Sequence, residues 1–193
     1  MEDHVPDIPG RRMTEAEFVA WDEARGSEAR VEFHEGFVVT MQAETNRHSF
    51  AKNSVANQFF NQLGFGGPCY PYGDGMRVRT PEGNRYEPDA MIRCGDPLGG
   101  DGKLVTDPVV VVEVMSPSNS EPSMETKQMR YFSCASLEHF LLVNPVTRLF
   151  FHTVRGPAPD KYLTTVLRGG SLALDPPGVT LDLDAVLAAV DAA

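Results

Sequence analysis

The sequence predicts one α/β domain over residues 1–193, with a mixed β-sheet flanked by helices and with an N-terminal helix and hairpin. Helical and extended patterns follow each other in the order helix, several strands, helix, strand, which is typical of α/β proteins. No linker divides the chain, and 193 residues is an ordinary length for a single domain. Residues 1–12 precede the first predicted helix, and we expect them to form a flexible arm.

The N-terminal part of this domain is predicted to be a helix followed by a β-hairpin. Thr14 and Glu17 have the spacing of a capping box, which predicts a helix that ends near Arg25. Apolar and polar residues alternate over Arg30–Thr40 around a central turn, as they do in a hairpin. Apolar residues then recur at helical spacing over Asn46–Leu63, which predicts a second helix.

The remaining elements follow from apolar runs and turn residues. Strands are predicted at Met76–Thr80, Pro88–Cys94, the valine run from Val109, Glu138–Asn144, Arg148–Val154 and Lys161–Arg168. A helix is predicted from about Met124 to Cys134 with Ser123 as its N-cap, a last short helix from Asp182 or Asp184, and a surface loop over Gly95–Asp107.

Composition excludes several classes of protein. No run approaches the roughly 18 apolar residues of a membrane span, and the first ten residues lack the pattern of a signal peptide, so we expect a cytoplasmic protein without a membrane partner. Three cysteines at spacings of 25 and 40 fit neither a disulfide framework nor a zinc site, and we expect reduced thiols. The net charge of −10 argues against a nonspecific nucleic-acid coat but allows an enzyme with several carboxylates.

The valine strand raises the central question, because it continues directly into Glu113. A buried carboxylate requires a cation, a metal or a shifted pKa. Asp89 begins another predicted strand, and on neighbouring strands the two carboxylates would converge. Mg²⁺ or Mn²⁺ favours such a pair of oxygen ligands. The alternative is that each acid merely ends a strand at the surface.

Lys127 is the cation that we expect to lie near Glu113. Lysine is scarce in this chain, and Lys127 belongs to the helix that follows the valine strand and its turn. There it could stabilise charge on an attacked phosphate or orient the attacking water. The alternative is an ordinary solvated lysine on a helix surface.

These residues resemble a large bacterial family of restriction endonucleases that forms a branch of the PD-(D/E)XK nuclease superfamily. The resemblance is carried in order by Glu32 and Gly36 of RVEFHEG, His48, Pro88-Asp89, EVMSPSN, Lys127 with Tyr131, and EHFLLVNP, and it covers nearly the whole chain. It implies a restriction-endonuclease-like core with Asp89 and Glu113 as metal ligands. It also implies a catalytic lysine displaced from the strand, where Met115 stands, to the helix at Lys127.

Two more residues enter the predicted catalytic set through this resemblance, Glu32 and His48. Glu32 could be a third acid at the metal or could pair with Arg30 or Arg47. His48 could position substrate or cap the second helix. The chain departs from the family at Asn144, where the family has an aspartate, and at Ser123, where it has an acidic residue.

Two functions remain open at this point. The first is a Mg²⁺-dependent endodeoxyribonuclease, with DNA as its partner. If it cuts both strands, it needs two active sites, and we expect a homodimer. The second is a non-catalytic module of the same fold that binds nucleic acid or protein. A third, less favoured hypothesis keeps the hydrolytic chemistry but has a phosphoester other than DNA as its substrate. The candidate phosphate contacts are the arginines of the strands around Asp89, which are Arg77, Arg79, Arg85 and Arg93.

Overall fold

The computed structural model describes residues 8–26, 30–116, 124–158 and 160–193, which form four helices and three β-sheets. The helices are α1 (Glu15–Arg25), α2 (Asn46–Leu63), α3 (Met124–Phe132) and α4 (Leu183–Asp191). The strands are β1 (Val31–His34), β2 (Phe37–Thr40), β3 (Cys69–Gly73), β4 (Arg77–Arg79), β5 (Arg85–Tyr86), β6 (Ala90–Cys94), β7 (Leu104–Val105), β8 (Pro108–Val114), β9 (His139–Asn144), β10 (Leu149–Arg155), β11 (Tyr162–Leu167), β12 (Ser171–Leu174) and β13 (Val179–Asp182).

A mixed six-stranded sheet forms the centre, in the order β11-β10-β9-β8-β6-β3. Its one parallel pair is β8 and β9, and all its other neighbours are antiparallel. Parallel neighbours require a crossover, and the described part of this crossover contains α3. The helix that carries Lys127 therefore lies in the connection between the strand that carries Glu113 and its parallel neighbour.

Strand β8 is buried on both faces, which explains its run of valines. Val110 and Val112 pack in a cluster with residues of α2 and α4, whereas Val111 packs with Tyr131 of α3. Full burial of each valine stabilises the fold by about 1.5–3 kcal/mol. Side chains alternate across a strand, so Glu113 shares the face of Val111 and lies under α3.

A second, smaller sheet has the order β2-β1-β5-β4-β7 and packs with α1. Phe18 of α1 stacks on Phe33 of β1, with ring centroids 4.5 Å apart. Glu15 of α1 accepts hydrogen bonds from Arg79 and Arg85 of β4 and β5. These contacts fix the hairpin that carries Glu32 against the rest of the molecule.

The C-terminal hairpin β12-β13 is joined to α2 by two glutamine side chains. Gln58 donates to the carbonyl oxygen of Asp182 and accepts from its N–H, and Gln62 does the same with Thr180. Each glutamine amide thus forms the pair of hydrogen bonds that a neighbouring strand would form. The free edge of β13 is therefore paired with α2.

Most of the predicted elements are confirmed. All four helices and the first hairpin are present, and α2 has the predicted bounds. Strand β7 lies inside the stretch Gly95–Asp107, where the sequence predicts only a loop. Strands β3, β5, β12 and β13 were not predicted, because they have two to five residues and β3 contains Pro71.

The expectation of three reduced cysteines is wrong for this structure. Cys69 and Cys94 form a disulfide, and Cys134 is a buried free thiol. The two bonded cysteines face each other across the antiparallel pair β3 and β6. A spacing of 25 residues gave no sign of this pairing because β3 was not recognised as the neighbour of β6.

Two predictions concern residues that the structure does not describe, in whole or in part. Ser123, the predicted N-cap of α3, and residues 1–7 of the predicted arm lie outside the described residues. Arg11, within the same arm, forms an ion pair with Glu17. No helix in the described ranges is long and apolar enough to cross a lipid bilayer.

The capping box of α1 gives a first test. The Thr14 hydroxyl accepts a hydrogen bond from the N–H of Glu17, so Thr14→Ala should lower the free energy of unfolding by about 1 kcal/mol. Thr14→Ser keeps the hydroxyl and should retain most of that stability. Urea unfolding followed by circular dichroism measures both, and equal losses in the two variants would contradict a role for the cap.

Candidate active site

Glu113 meets its cation on the helix that follows its strand. The Lys127 Nζ atom lies 2.9 Å from Glu113 Oε1, and both side chains are almost fully buried. The Tyr131 hydroxyl, one turn further along α3, donates a hydrogen bond of 2.7 Å to the same Glu113 oxygen. The structure thus brings together Glu113 and Lys127 as the sequence predicts, and it gives Tyr131 a direct contact with the acid.

Glu32 holds the same lysine from the small sheet. Its Oε1 atom accepts a hydrogen bond of 3.0 Å from Lys127 Nζ and another of 2.9 Å from the N–H of Glu87. The ring of Tyr86 lies 5.3 Å from Lys127 Nζ, within the range of a cation–π contact. The lysine is therefore shared between two buried carboxylates. Glu32 pairs with Lys127 and with neither of the arginines considered as alternatives.

The surroundings decide the charge of Lys127. Burial on its own would lower the pKa of Lys127, but Glu113 and Glu32 outweigh it and raise that pKa above its usual value. Burial raises the pKa of Glu113; Lys127 opposes this change, while the charges of Glu32 and Asp89 add to it. The lysine is therefore held as an ammonium ion.

Asp89 directly precedes β6 and lies beside the end of β8. Its N–H donates to the carbonyl oxygen of Val112, and its Oδ2 atom accepts a 2.7 Å hydrogen bond from the N–H of Val114. The register that pairs Ala90 with Val112 brings Asp89 next to Glu113. The two strands are neighbours, as the predicted carboxylate pair requires.

His48 joins the site from the first turn of α2. Its Nε2 atom lies 2.9 Å from the Val114 carbonyl oxygen and 3.4 Å from Asp89 Oδ2. Its Nδ1 atom is 3.4 Å from Glu44 Oε2. Burial on its own would lower the pKa of His48, but Asp89 and Glu44 outweigh it and raise that pKa. All five predicted catalytic residues therefore belong to one region, which the sheet, α2 and α3 assemble.

This region holds more buried carboxylates than buried ammonium groups. The residues Glu32, Asp89 and Glu113 have relative exposures of 5%, 7% and 5%, and Lys127 lies between the first and the third. Carboxylates this close repel each other unless a proton or a cation separates them. An oxygen-rich set of this kind suits a hard divalent cation.

Sequence reasoning missed Glu44. It precedes α2, four residues before His48, and its Oε1 atom lies 2.5 Å from Nζ of the buried Lys52. The spacing of Glu44 and His48 was the available signal, but an acid four residues from a histidine is common on protein surfaces. The partner that identifies Glu44 as part of the site, Asp89, lies 45 residues further on.

The four arginines predicted as phosphate contacts each have an intramolecular partner. Arg77 pairs with Asp22, and both Arg79 and Arg85 pair with Glu15, which connects the small sheet to α1. Arg93 pairs with Asp107. Their charges are therefore used within the fold.

The buried group of Lys127, Glu113 and Glu32 gives a second test. Lys127→Met would leave two buried carboxylates without their cation and should cost about 3–5 kcal/mol of stability. In a Glu113→Gln background, the same change should cost at least about 1 kcal/mol less, because one of the two charges is gone. Urea unfolding of the four proteins of this cycle measures the coupling.

A matched control uses the exposed pair of Arg148 and Asp191. Asp191→Asn should change stability by less than about 0.5 kcal/mol and should add to Lys127→Met without coupling. Strict additivity between Lys127→Met and Glu113→Gln would mean that the two side chains do not interact in solution.

Comparison with known proteins identifies the fold and the family of this chain. A putative nuclease belonging to DUF820 from Anabaena variabilis superposes with a TM-score of 0.73 at 14% identity, over 92% of this chain and 99% of that chain, which shows a common fold. An uncharacterized protein from Synechocystis sp., slr1290, is 25% identical over 142 residues, or 73% of each chain. The model of the Uma2 family, described as putative restriction endonuclease, matches residues 15–188. The predicted resemblance and fold are thereby confirmed, and the chain belongs to the Uma2 family of putative restriction endonucleases.

Proposed function

We propose that this protein is a metal-dependent phosphodiesterase that cuts DNA as an endonuclease. The observation that carries the proposal is the buried ammonium of Lys127 between Glu113 and Glu32, next to Asp89. Buried carboxylates and a lysine are a costly combination for a structural purpose alone. Membership of a family described as restriction endonucleases supports the same reaction.

Asp89 and Glu113 are the proposed ligands of one Mg²⁺ or Mn²⁺ ion. Both offer carboxylate oxygens from adjacent strands, and their surroundings contain an excess of negative charge. When bound, such an ion neutralises charge on the attacked phosphate and makes a bound water more acidic. The Tyr131 hydroxyl fixes the orientation of Glu113 through its hydrogen bond to Oε1.

Lys127 acts in this proposal as a hydrogen-bond donor and a positive charge. Its pKa is raised, so it keeps its proton and cannot accept one from water at neutral pH. An ammonium at this position can donate to a non-bridging phosphate oxygen, where negative charge grows as water attacks, or orient that water. Glu32 holds the ammonium in place, and Glu113 would be one of the residues that hold the metal.

Cutting both strands of DNA requires two such sites, and the proposal therefore includes a homodimer. It also includes a cytoplasmic location. The alternative function is a binding module without catalysis that takes nucleic acid or protein, and the net charge of −10 favours it.

Plasmid cleavage tests the proposal. With Mg²⁺ or Mn²⁺ the parent protein should convert supercoiled DNA to nicked or linear forms, and EDTA should stop the reaction. Asp89→Asn, Glu113→Gln and Lys127→Met should each lower the rate at least about 100-fold, because each removes a metal ligand or the ammonium. Asp191→Asn, at an exposed position remote in sequence from the site, is the matched control and should cleave at the parent rate.

Two results would count against the proposal. If the parent cuts no DNA but binds it, and Glu113→Gln binds it equally well, the protein is a binding module. If the parent hydrolyses another phosphoester from a substrate panel and leaves DNA intact, the chemistry stands but DNA is the wrong substrate.

A further inference from the structure

Strand β11 leaves one edge of the central sheet open. It stands at the end of the six-stranded order, with β10 on one side and no described segment paired with its other side. Its sequence, Tyr162–Leu167, contains no charged residue, no proline and no glycine. Strands of this kind readily add a further strand, and proteins usually protect them with lysine, proline or a covering segment. The residues of β11 give it none of the first two protections.

Other sheet edges of this protein are shorter or protected. At the opposite end of the central sheet, β3 contains Pro71, which has no N–H to donate to a further strand. Gln58 and Gln62 of α2 pair with β13. The terminal strands β2 and β7 of the small sheet have only four and two residues. Among the described strands that end a sheet, β11 is therefore the longest.

The middle of β11 is exposed on both faces of the sheet. Successive side chains of a strand point to opposite faces, so Leu163 and Val166 lie on different faces of β11. Leu163 is 62% exposed and Val166 is 53% exposed. Thr164 and Thr165, which lie between them, are exposed as well. Apolar side chains on both faces thus lack a cover within the described ranges.

The hydrogen bonds between β10 and β11 show which backbone groups of β11 point outward. The N–H of Gly156 donates to the carbonyl oxygen of Lys161, and these two residues continue the register of the two strands by one pair. In an antiparallel pair, hydrogen-bonded and non-hydrogen-bonded positions alternate. The residues whose N–H and C=O groups point to the open edge are therefore Tyr162, Thr164 and Val166.

We propose that two copies of this chain pair through β11, antiparallel and about a two-fold axis at Thr164. An outward residue of one strand can form the hydrogen-bonded pair only with an outward residue of the other. With the axis at Thr164, this residue lies opposite its own copy, and Tyr162 lies opposite Val166 of the second copy. All three outward residues of each strand are then paired. An aromatic side chain opposite a β-branched one is also a favourable cross-strand pair.

The charges at the ends of β11 favour the same register. Asp160 precedes the strand and Arg168 follows it, and both are exposed. With the axis at Thr164, each Asp160 comes opposite Arg168 of the second copy, and opposite charges across a strand pair are favourable. An axis at Thr165 would instead place Tyr162 opposite that arginine and would lose the pairing of charges.

This pairing deepens the proposed function, on which it rests only for its purpose. Cutting both strands of DNA requires two active sites, and a dimer through β11 supplies the second one. The strand β8, which carries Glu113, is separated from β11 by β9 and β10. The contact between the two β11 strands therefore does not involve Glu113.

Two matched cysteine variants test the register. Thr164→Cys would place two cysteines directly opposite each other, with Cα atoms about 5.5 Å apart, which is within the range of a disulfide. Thr165→Cys would place them about 8 Å apart, beyond that range. Under mild oxidation, Thr164→Cys should therefore form a covalent dimer at least about tenfold faster than Thr165→Cys, as measured by non-reducing electrophoresis. Equal rates, or faster linkage at Thr165, would overturn the proposed pairing.

Sedimentation velocity measures the association itself. The parent should dimerise with a Kd below about 10 µM. Val166→Pro should weaken the dimer at least about tenfold, because proline removes one outward N–H in each copy and leaves the pairing with β10 intact. A parent that stays monomeric up to about 100 µM, or a Val166→Pro dimer as tight as the parent, would overturn the pairing. Circular dichroism checks the fold of Val166→Pro, and the two cysteine variants supply the test if it does not fold.

The outcomes distinguish this inference from the proposed function. A dimer linked through Thr164→Cys in a protein that cuts no DNA would support the pairing and contradict the nuclease. DNA cleavage by a parent that stays monomeric would contradict the pairing alone. If both proposals hold, Val166→Pro should still nick supercoiled DNA but should form linear DNA more slowly than the parent.

Discussion

The buried ion pair between Lys127 and Glu113 is the interaction on which the candidate site depends. Both side chains are almost fully withdrawn from water, and each carries a charge that would be costly without the other. The pair also joins two elements, since Glu113 belongs to β8 and Lys127 to the helix that leads from β8 to its parallel neighbour β9. Glu32 adds the small sheet to the same contact. One ammonium thus connects the central sheet, α3 and the first hairpin.

The local patterns in the sequence were sufficient for most of the fold. Capping residues and helical spacing predicted α1 and α2, and the valine run predicted β8, because these signals come from neighbours along the chain. The disulfide of Cys69 with Cys94 was missed, because it follows from which strands are adjacent. Asn144, where the chain departs from its family, has a structural role that the sequence did not predict. Its Oδ1 atom accepts hydrogen bonds from the N–H groups of Val146 and Thr147 and so stabilises the turn after β9.

The candidate site was predictable where two of its residues lie close in the sequence. The buried strand position of Glu113 called for a cation, and Lys127 lies in the helix that follows that strand. The partner of Glu32 was not predictable, since Glu32 and Lys127 are 95 residues apart and nothing local distinguishes that pair from one with Arg30. Glu44 was missed for the same reason, because only the folded chain brings Asp89 to it. Long-range contacts therefore decide which charged residues pair with each other, and the local sequence does not reveal them.

The glutamine contacts between α2 and β13 have a consequence for assembly. An unpaired strand edge is a template on which other chains can add strands, and such edges lead to aggregation. Here Gln58 and Gln62 occupy that edge with side-chain amides. The helix that positions His48 thereby shields the C-terminal hairpin from strand exchange with other copies.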